Sequence, residues 1–353
     1  MTVESLTLIW RRVLQRSSIG VDDNFFDVGG NLQSADVLFA EIARECGREL
    51  PSATICHAPT IAALASLLEQ PTLAGFPPFV QLRAGGEQPP ILLAHGMGGL
   101  ASFSRLATHI DTGHPIYGIQ AKGIDGMEEP LDRIEDMAEF YLDSIPTLQS
   151  GGPYILIGYS FGGLVALEMA QRLSRNGGAV GLLVLVDAYP HPRYLSPGQR
   201  LRLMAQRARR HVSEVRVRPA RSAISYVARG IEHQLRIGRA QSRKHLQEAS
   251  RLSLAQSTLR VKDKAELALA HYQPRVYRGK IKFVKSESDR YFPGDPTAVW
   301  SSLADELEVE TVSGAHLDMV TTHFEGLAVL LTRYIREAFR QNERERPDTQ
   351  VVG

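Results

Sequence analysis

The stretch that most constrains the fold is Gly-Tyr-Ser-Phe-Gly-Gly at residues 158–163. It follows the apolar run 154–157, which is typical of a buried strand, and precedes residues 164–170, whose sequence is typical of a helix. A Gly-x-Ser-x-Gly sequence also occurs in ordinary glycine-rich turns, so the motif alone decides little. Its position between strand and helix predicts a sharp turn that lifts Ser160 above the edge of a sheet.

A serine hydroxyl at such a turn needs two further side chains before it becomes a good nucleophile. A histidine must take its proton and an acid must orient the histidine, and in folds with this turn the chain order is serine, acid, histidine. The apolar run 181–186 ends at Asp187, and the strand-like residues 307–312 lead into a short loop that carries His316. Because parallel strands end at one edge of a sheet, we expect Ser160, Asp187 and His316 to meet there.

A second acid competes with Asp187. Asp289 follows the strand-like residues 281–284, and many α/β-hydrolases carry their acid one strand later than Asp187. We favour Asp187 because it directly follows a continuous apolar run, which is typical of a buried parallel strand.

An early glycine-rich loop completes the predicted site. Residues 92–99 read Leu-Leu-Ala-His-Gly-Met-Gly-Gly, a strand that enters a turn. In the α/β-hydrolase fold a developing oxyanion is held by the backbone N–H of the residue after the nucleophile and by an N–H from this early loop. We therefore predict Phe161 and Met97 as the two donors, and we interpret His95 as a structural residue of the loop.

These elements predict an α/β-hydrolase fold with a mostly parallel sheet. Helix-like stretches separate many of the candidate strands, which favours parallel pairing. The candidate strands are residues 80–82, 91–93, 116–118, 154–157, 182–186, 281–284 and 309–312.

Composition excludes several other classes. The 353 residues are 43% hydrophobic and 22% charged, with a net charge of +1, and none of the chain approaches the roughly 18 uninterrupted apolar residues of a membrane span. The N-terminal residues lack the layout of a signal peptide, so we expect a cytoplasmic protein. Cys46 and Cys56 are too few for a disulfide framework, and we assign no metal site.

The first 70 residues are separate in pattern from the sheet. Apolar residues at helical spacing predict a small bundle of three to four helices, and Thr60 is a candidate cap for the last of them. Residues 23–31, Asp-Asn-Phe-Phe-Asp-Val-Gly-Gly-Asn, resemble the signature of the carrier domains of nonribosomal peptide and polyketide synthases, and residues 49–51 and 58–64 continue the similarity. The resemblance implies an attachment serine for phosphopantetheine two residues after the Gly-Gly pair.

Leu32 stands at that attachment position. A gapless match keeps Ala35, Leu38 and Ile42 in register as the buried stripe of the second helix, whereas moving Ser34 onto the attachment position would rotate this stripe away from the core. We therefore interpret Ser34 as a residue of the helix surface and expect no covalently bound cofactor on this chain.

Taken together, the chain resembles the carrier and thioesterase end of a nonribosomal peptide or polyketide synthase. The thioesterase motifs that carry the resemblance are residues 95–99, 158–163, 186–187 and 314–316. The resemblance implies that Asp187 is the acid and that Ser160 takes an acyl chain from a phosphopantetheine thioester on a partner carrier domain. Water or an internal nucleophile then releases the chain.

The resemblance also divides the chain. We predict a carrier-like domain at 1–70, a linker at 71–79, a hydrolase domain at 80–341 with a lid at about 191–262, and a disordered tail at 342–353. The predicted lid holds 17 Lys and Arg residues against three Glu residues, a net charge of +14. This charge is typical of a solvated helical surface, or of a surface that attracts an acidic carrier domain or the phosphate of its arm.

The sequence leaves one alternative partner and one alternative function. A nucleic-acid partner is not expected, since no recognised binding motif accompanies the charge and aromatic residues are sparse there. A non-catalytic docking or scaffold protein of a synthase assembly remains the alternative function, and the complete set of Ser160, Asp187 and His316 argues against it.

Overall fold

The computed structural model describes most of the chain. The described residues are 2–48, 50, 52, 54–70, 77–97, 99–148, 151–198, 200–201, 204–205, 254–288 and 295–345. Most of the predicted lid, the predicted linker from 71 to 76, the rival acid Asp289 and the last eight residues lie outside them.

The N-terminal residues form a bundle of four helices, as predicted. Their bounds are α1 (Val3–Leu14), α2 (Leu32–Cys46), α3 (Thr54–His57) and α4 (Ile61–Glu69).

The ends of these helices are set by local side chains. Thr2 accepts a hydrogen bond from the Ser5 N–H at the start of α1, and Thr60 accepts one from the Ala63 N–H at the start of α4, which confirms the predicted cap. Trp10 and Phe25 are fully buried and meet edge to face, with ring centroids 5.1 Å apart, in the centre of the bundle.

A seven-stranded sheet forms the second domain, and every predicted strand is present in it. The strands are β1 (Phe79–Arg83), β2 (Ile91–Ala94), β3 (Ile116–Ile119), β4 (Tyr154–Tyr159), β5 (Val180–Val186), β6 (Tyr277–Ser286) and β7 (Ala304–Val312).

The order of the strands across the sheet is β1-β3-β2-β4-β5-β6-β7. β1 pairs with β3 antiparallel, and the remaining neighbours pair in parallel, so the prediction of a mostly parallel sheet is confirmed. β4 lies near the centre of the sheet and is buried along most of its length.

Helices cover both faces of the sheet and bury a hydrophobic core on each side. Their bounds are α5 (Ser104–His109), α6 (Ile134–Ser144), α7 (Phe161–Arg175), α8 (Leu254–His271), α9 (Thr297–Trp300), α10 (Asp318–Thr321) and α11 (Phe324–Glu345), and 3-10 turns lie at Leu100–Phe103, Ile145–Thr147 and Pro192–Tyr194.

Three predicted boundaries differ from the observed elements. β1 begins at Phe79, the last residue of the predicted linker. α8 passes through the predicted end of the lid at 262 and ends at His271, because Val261, Ala265 and Ala268 continue a buried stripe at helical spacing. α11 runs to Glu345, four residues into the predicted tail, since Glu343, Arg344 and Glu345 are good helix formers and Pro347 is the first strong breaker.

Candidate active site

The turn between β4 and α7 has the strained geometry that the sequence predicts. Ser160 adopts φ 54° and ψ −121°, a conformation that few non-glycine residues hold. Close packing requires glycine beside it: a Cβ on Gly162 would lie 2.3 Å from the Ala94 carbonyl oxygen, and one on Gly158 would lie 2.4 Å from the Gly162 carbonyl oxygen. The two glycines allow the backbone to turn this sharply and present Ser160 at the carboxyl edge of the sheet.

His316 links Ser160 to Asp187. Its Nε2 lies 3.1 Å from Ser160 Oγ and its Nδ1 lies 3.1 Å from Asp187 Oδ2, although 156 and 129 residues separate these pairs in sequence. Neutral imidazole with its proton on Nδ1 can donate to the carboxylate and leave Nε2 to accept the serine proton. The structure therefore brings together the three residues in the hydrogen-bonded order that the sequence predicts.

Asp187 is held in place by the neighbouring strand. The residue follows β5 with a positive φ of 47°, is 1% exposed, and accepts a hydrogen bond on Oδ1 from the Ser286 N–H at 3.1 Å. One oxygen of the carboxylate is thus bound by backbone while the other faces His316. Asp289 lies outside the described residues, and His316 Nδ1 already has Asp187 as its partner.

Tyr159 holds His316 from a second side, which sequence analysis did not predict. The two rings stack with centroids 4.8 Å apart at 19°, and the Tyr159 hydroxyl donates to the His316 carbonyl oxygen at 2.7 Å. The motif places Tyr159 beside the nucleophile, but nothing in the local sequence indicates that its ring meets a loop 157 residues later. The contact fixes both the ring plane and the backbone of the histidine.

The predicted oxyanion donors flank the nucleophile. Phe161 is the first residue of α7, so its backbone N–H has no carbonyl partner within that helix. The loop that carries Met97 lies against the nucleophile, since a Cβ on Gly96 would come within 3.2 Å of Ser160 Cβ. Met97 and Phe161 also line one cavity.

His95 belongs to the same loop but takes no part in the hydrogen-bonded series. Its Nδ1 is bonded to the Gly96 carbonyl oxygen. Burial lowers the pKa of His95, and the bond to Gly96 opposes this effect. The neutral form is therefore favoured, in keeping with the structural role predicted for this residue.

The start of α2 does not fit a covalently attached phosphopantetheine. The helix begins at Leu32, directly after the cap residue Asn31. Ser34 Oγ accepts from the Asn31 N–H at 2.8 Å and donates to the Asn31 carbonyl oxygen at 3.0 Å, so its hydroxyl already serves the capping box. Neither residue 32 nor residue 34 offers an uncommitted hydroxyl.

The described residues offer neither a metal site nor a membrane-spanning helix. Among the described residues there is no group of three or more His, Cys, Asp or Glu side chains that could hold a metal ion. Within the same part of the chain, the helices are either too short or too polar to cross a bilayer.

Two protein-family models match this chain, one over each of its two domains. The thioesterase domain model matches residues 89–334, a range that contains Ser160, Asp187 and His316. The chain belongs to the thioesterase domain family. The phosphopantetheine attachment site model matches residues 4–68, so the chain combines a carrier domain with a thioesterase domain.

The curated relatives that the chain matches are much longer than the chain itself. A dimodular nonribosomal peptide synthase of Bacillus subtilis (strain 168) is 40% identical over 190 residues, which are 53% of this chain and 8% of that protein. An indigoidine synthase of Streptomyces lavendulae is 36% identical over 187 residues, 52% of this chain and 15% of that protein. The chain thus spans a small part of the curated relatives it matches.

Solved structures share the fold. A four-domain nonribosomal peptide synthetase in its holo form, bound to AMP and glycine, matches 96% of this chain with 26% of its own, at a TM-score of 0.53 and 20% identity. At this identity the likeness concerns the fold alone, and it extends over both domains.

The attachment-site match changes one prediction. Phosphopantetheine was expected on a partner carrier, whereas the family match indicates that an attachment domain is part of this chain itself. Leu32 nevertheless stands where the resemblance places the attachment serine.

Proposed function

We propose that this chain releases an acyl, peptidyl or polyketide chain from a phosphopantetheine thioester through a covalent intermediate on Ser160. The observation that carries the proposal is the hydrogen-bonded series from Ser160 Oγ through His316 to Asp187, with 3.1 Å at each step. Membership of the thioesterase family supports a thioester as the substrate.

In the first half-reaction, His316 Nε2 takes the proton of Ser160 Oγ while that oxygen attacks the thioester carbonyl carbon. The carbonyl oxygen becomes negative and is held by the N–H groups of Phe161 and Met97. The carbon–sulfur bond then breaks, the departing sulfur takes the proton from His316, and the acyl group remains as an ester on Ser160. Asp187 stabilises the positive imidazolium that forms between these two proton transfers.

In the second half-reaction, His316 takes a proton from water or from a nucleophile within the acyl chain. The attacking oxygen or nitrogen forms a new bond to the carbonyl carbon, and the ester bond to Ser160 breaks with return of the proton to its oxygen. The product is a free acid when water attacks and a ring when the chain attacks itself.

The substrate is delivered by a loaded carrier domain of a synthase assembly. Leu32 has no oxygen that could form a phosphodiester, so delivery by the carrier domain of this chain is not available to the protein as it stands. The synthases among its relatives support a partner of this kind.

Ser160→Ala tests the proposal. Alanine fits the turn and removes the attacking oxygen alone, so we expect the fold to persist while turnover of an acyl-pantetheine thioester and labelling by a fluorophosphonate both disappear. Mass spectrometry of the labelled protein would locate the adduct. Turnover at the wild-type rate in Ser160→Ala, or an absence of labelling in the wild type, would favour the docking protein instead.

A further inference from the structure

A largely apolar cavity adjoins Ser160 on the side of Met97 and Phe161. It is partly open, its volume is about 40 Å³, and several strands and helices of the hydrolase domain form its walls. The walls include Ile119 of β3, Met137 of α6, Val165 of α7 and Val261 of α8. Ser160 directly precedes Phe161 and Gly162, which line this space, and an apolar chain is the group that such walls favour.

The wall formed by α8 has a second side, against which the carrier domain packs. Val261 is 9% exposed and belongs to the hydrophobic cluster of the four-helix bundle, as does Ile124 at 8%. Ala121 also lies against this cluster, and both Ala121 and Val261 line the cavity. A single layer of side chains therefore separates the cavity from the core of the carrier domain.

Several contacts hold α8 against the carrier domain and against the loop that carries Ala121. α2 of the carrier domain packs on α8. Arg260 and Lys264 of α8 form ion pairs with Glu129 and Asp132 in the loop that also carries Ala121. The loop and the helix thus form one unit on which the bundle rests.

A second contact lies near the start of α2. Ser104 Oγ donates to Asp27 Oδ1 at 3.4 Å, in the segment that resembles the carrier signature. Partial burial raises the pKa of Asp27, and the hydrogen bond from Ser104 and the charges of Arg105 and His109 oppose the rise. The contact joins the carrier domain to α5, which follows the loop of Met97.

We propose that the carrier domain of this chain is a fixed part of the acyl cavity and determines how long an apolar acyl chain the thioesterase accepts. The inference rests on the function proposed above. A carrier domain that shuttles substrates must leave its partner in each cycle, but Leu32 removes the attachment that such a cycle requires. A bundle that stays in place holds Val261 and Ala121 against the cavity, so that its packing sets the volume available beside Ser160.

Ile124→Asp in the full chain tests this inference. Ile124 does not line the cavity, and a buried carboxylate in the hydrophobic cluster would drive the carrier domain away from α8. Acetyl-pantetheine and octanoyl-pantetheine thioesters serve as substrates of one chemistry and two lengths. We expect the KM for the octanoyl substrate to rise about tenfold or more while kcat/KM for the acetyl substrate stays within about twofold, since binding of the chain is lost and the reacting groups are untouched.

Val37→Asp is the matched control, because Val37 lies on α2 of the same domain and is 53% exposed. It should leave KM and kcat/KM for both substrates at their wild-type values. If Ile124→Asp fails to fold, Asp27→Ala removes the second contact without placing a charge in the core, and it should shift the octanoyl KM in the same direction by a smaller factor.

An unchanged octanoyl KM in a folded Ile124→Asp protein would overturn the inference, as would an equal loss on both substrates. Failure of the underlying function is distinguishable, since the wild type would then show neither fluorophosphonate labelling of Ser160 nor turnover of the acetyl substrate.

Discussion

At the scale of single residues, the site depends on how firmly His316 is oriented. Its ring has a hydrogen-bond partner at each nitrogen, and Tyr159 stacks on its face. Asp187 in turn is bound by the Ser286 N–H. In the mechanism proposed above, a base held in this way would need little reorganisation before it takes the proton of Ser160, which is the advantage of a preorganised site.

Asp187→Asn should lower turnover by three to four orders of magnitude, on the order of the loss known for the same change in serine proteases. An amide at this position can donate to Nδ1 and so favours the wrong tautomer of His316. The measurement is kcat with an acyl-pantetheine thioester. Asp289→Asn is the control and should do much less; if the two effects are reversed, the acid follows β6 instead of β5.

At the scale of elements, the turn between β4 and α7 depends on the loop after β2. Gly162 lies against the carbonyl groups of Ala94 and His95, so the start of α7 meets the backbone at the point where β2 enters the loop that carries Met97. This contact sets the spacing of the two predicted oxyanion donors, because each belongs to one of the touching segments.

Gly162→Ala should therefore reduce both stability and activity. The added Cβ meets backbone atoms at 2.3–2.4 Å, which cannot yield as a flexible side chain does. We expect a loss of about 1–3 kcal/mol in the free energy of unfolding, as for overpacked sites, together with a lower kcat. Thermal unfolding and turnover measure the two effects.

Gly151→Ala is the matched control, since nothing lies within 4 Å of a Cβ there. It should leave both quantities near their wild-type values. A Gly162→Ala protein that is as stable and active as the wild type would show that the loop and the helix can separate without consequence.

At the scale of the whole molecule, two domains of different type share one hydrophobic cluster. Ile124 and Val261 of the hydrolase domain are buried together with the core of the helical bundle. The carrier surface near Asp27 also contacts α5. The bundle is thereby joined to the segments that surround Ser160.

The lack of a hydroxyl at residue 32 also belongs to this scale. A phosphopantetheinyl transferase needs a hydroxyl at the start of α2, so the wild type should gain no pantetheine mass when it is incubated with coenzyme A and a broad-specificity transferase. Leu32→Ser should restore the gain, because the bundle and the cap at Asn31 are intact. Intact-protein mass spectrometry measures both forms.

Leu32→Ala serves as the control, since it shortens the side chain without supplying an oxygen. It should behave like the wild type. A mass gain on the wild type would show that another residue accepts the group, and a Leu32→Ser protein that gains nothing would show that the carrier surface differs in more than one side chain.

Local sequence signals were enough to predict the elements and the chain order of Ser160, Asp187 and His316. The turn around Ser160, the seven strands and the cap at Thr60 follow from glycine placement, apolar runs and helix signals that lie within a few residues of one another. Asp187 was predictable because it directly follows a strand, and His316 because a short loop joins it to the last strand; parallel strands bring their ends to one edge.

Tertiary structure alone decided the contacts between distant segments. The stacking of Tyr159 on His316, the bond from Ser286 to Asp187 and the packing of Ile124 and Val261 on the carrier domain join residues far apart in the chain. No local pattern encodes such pairs, because an apolar or aromatic side chain gains similar free energy against many partners and the fold selects which one it meets.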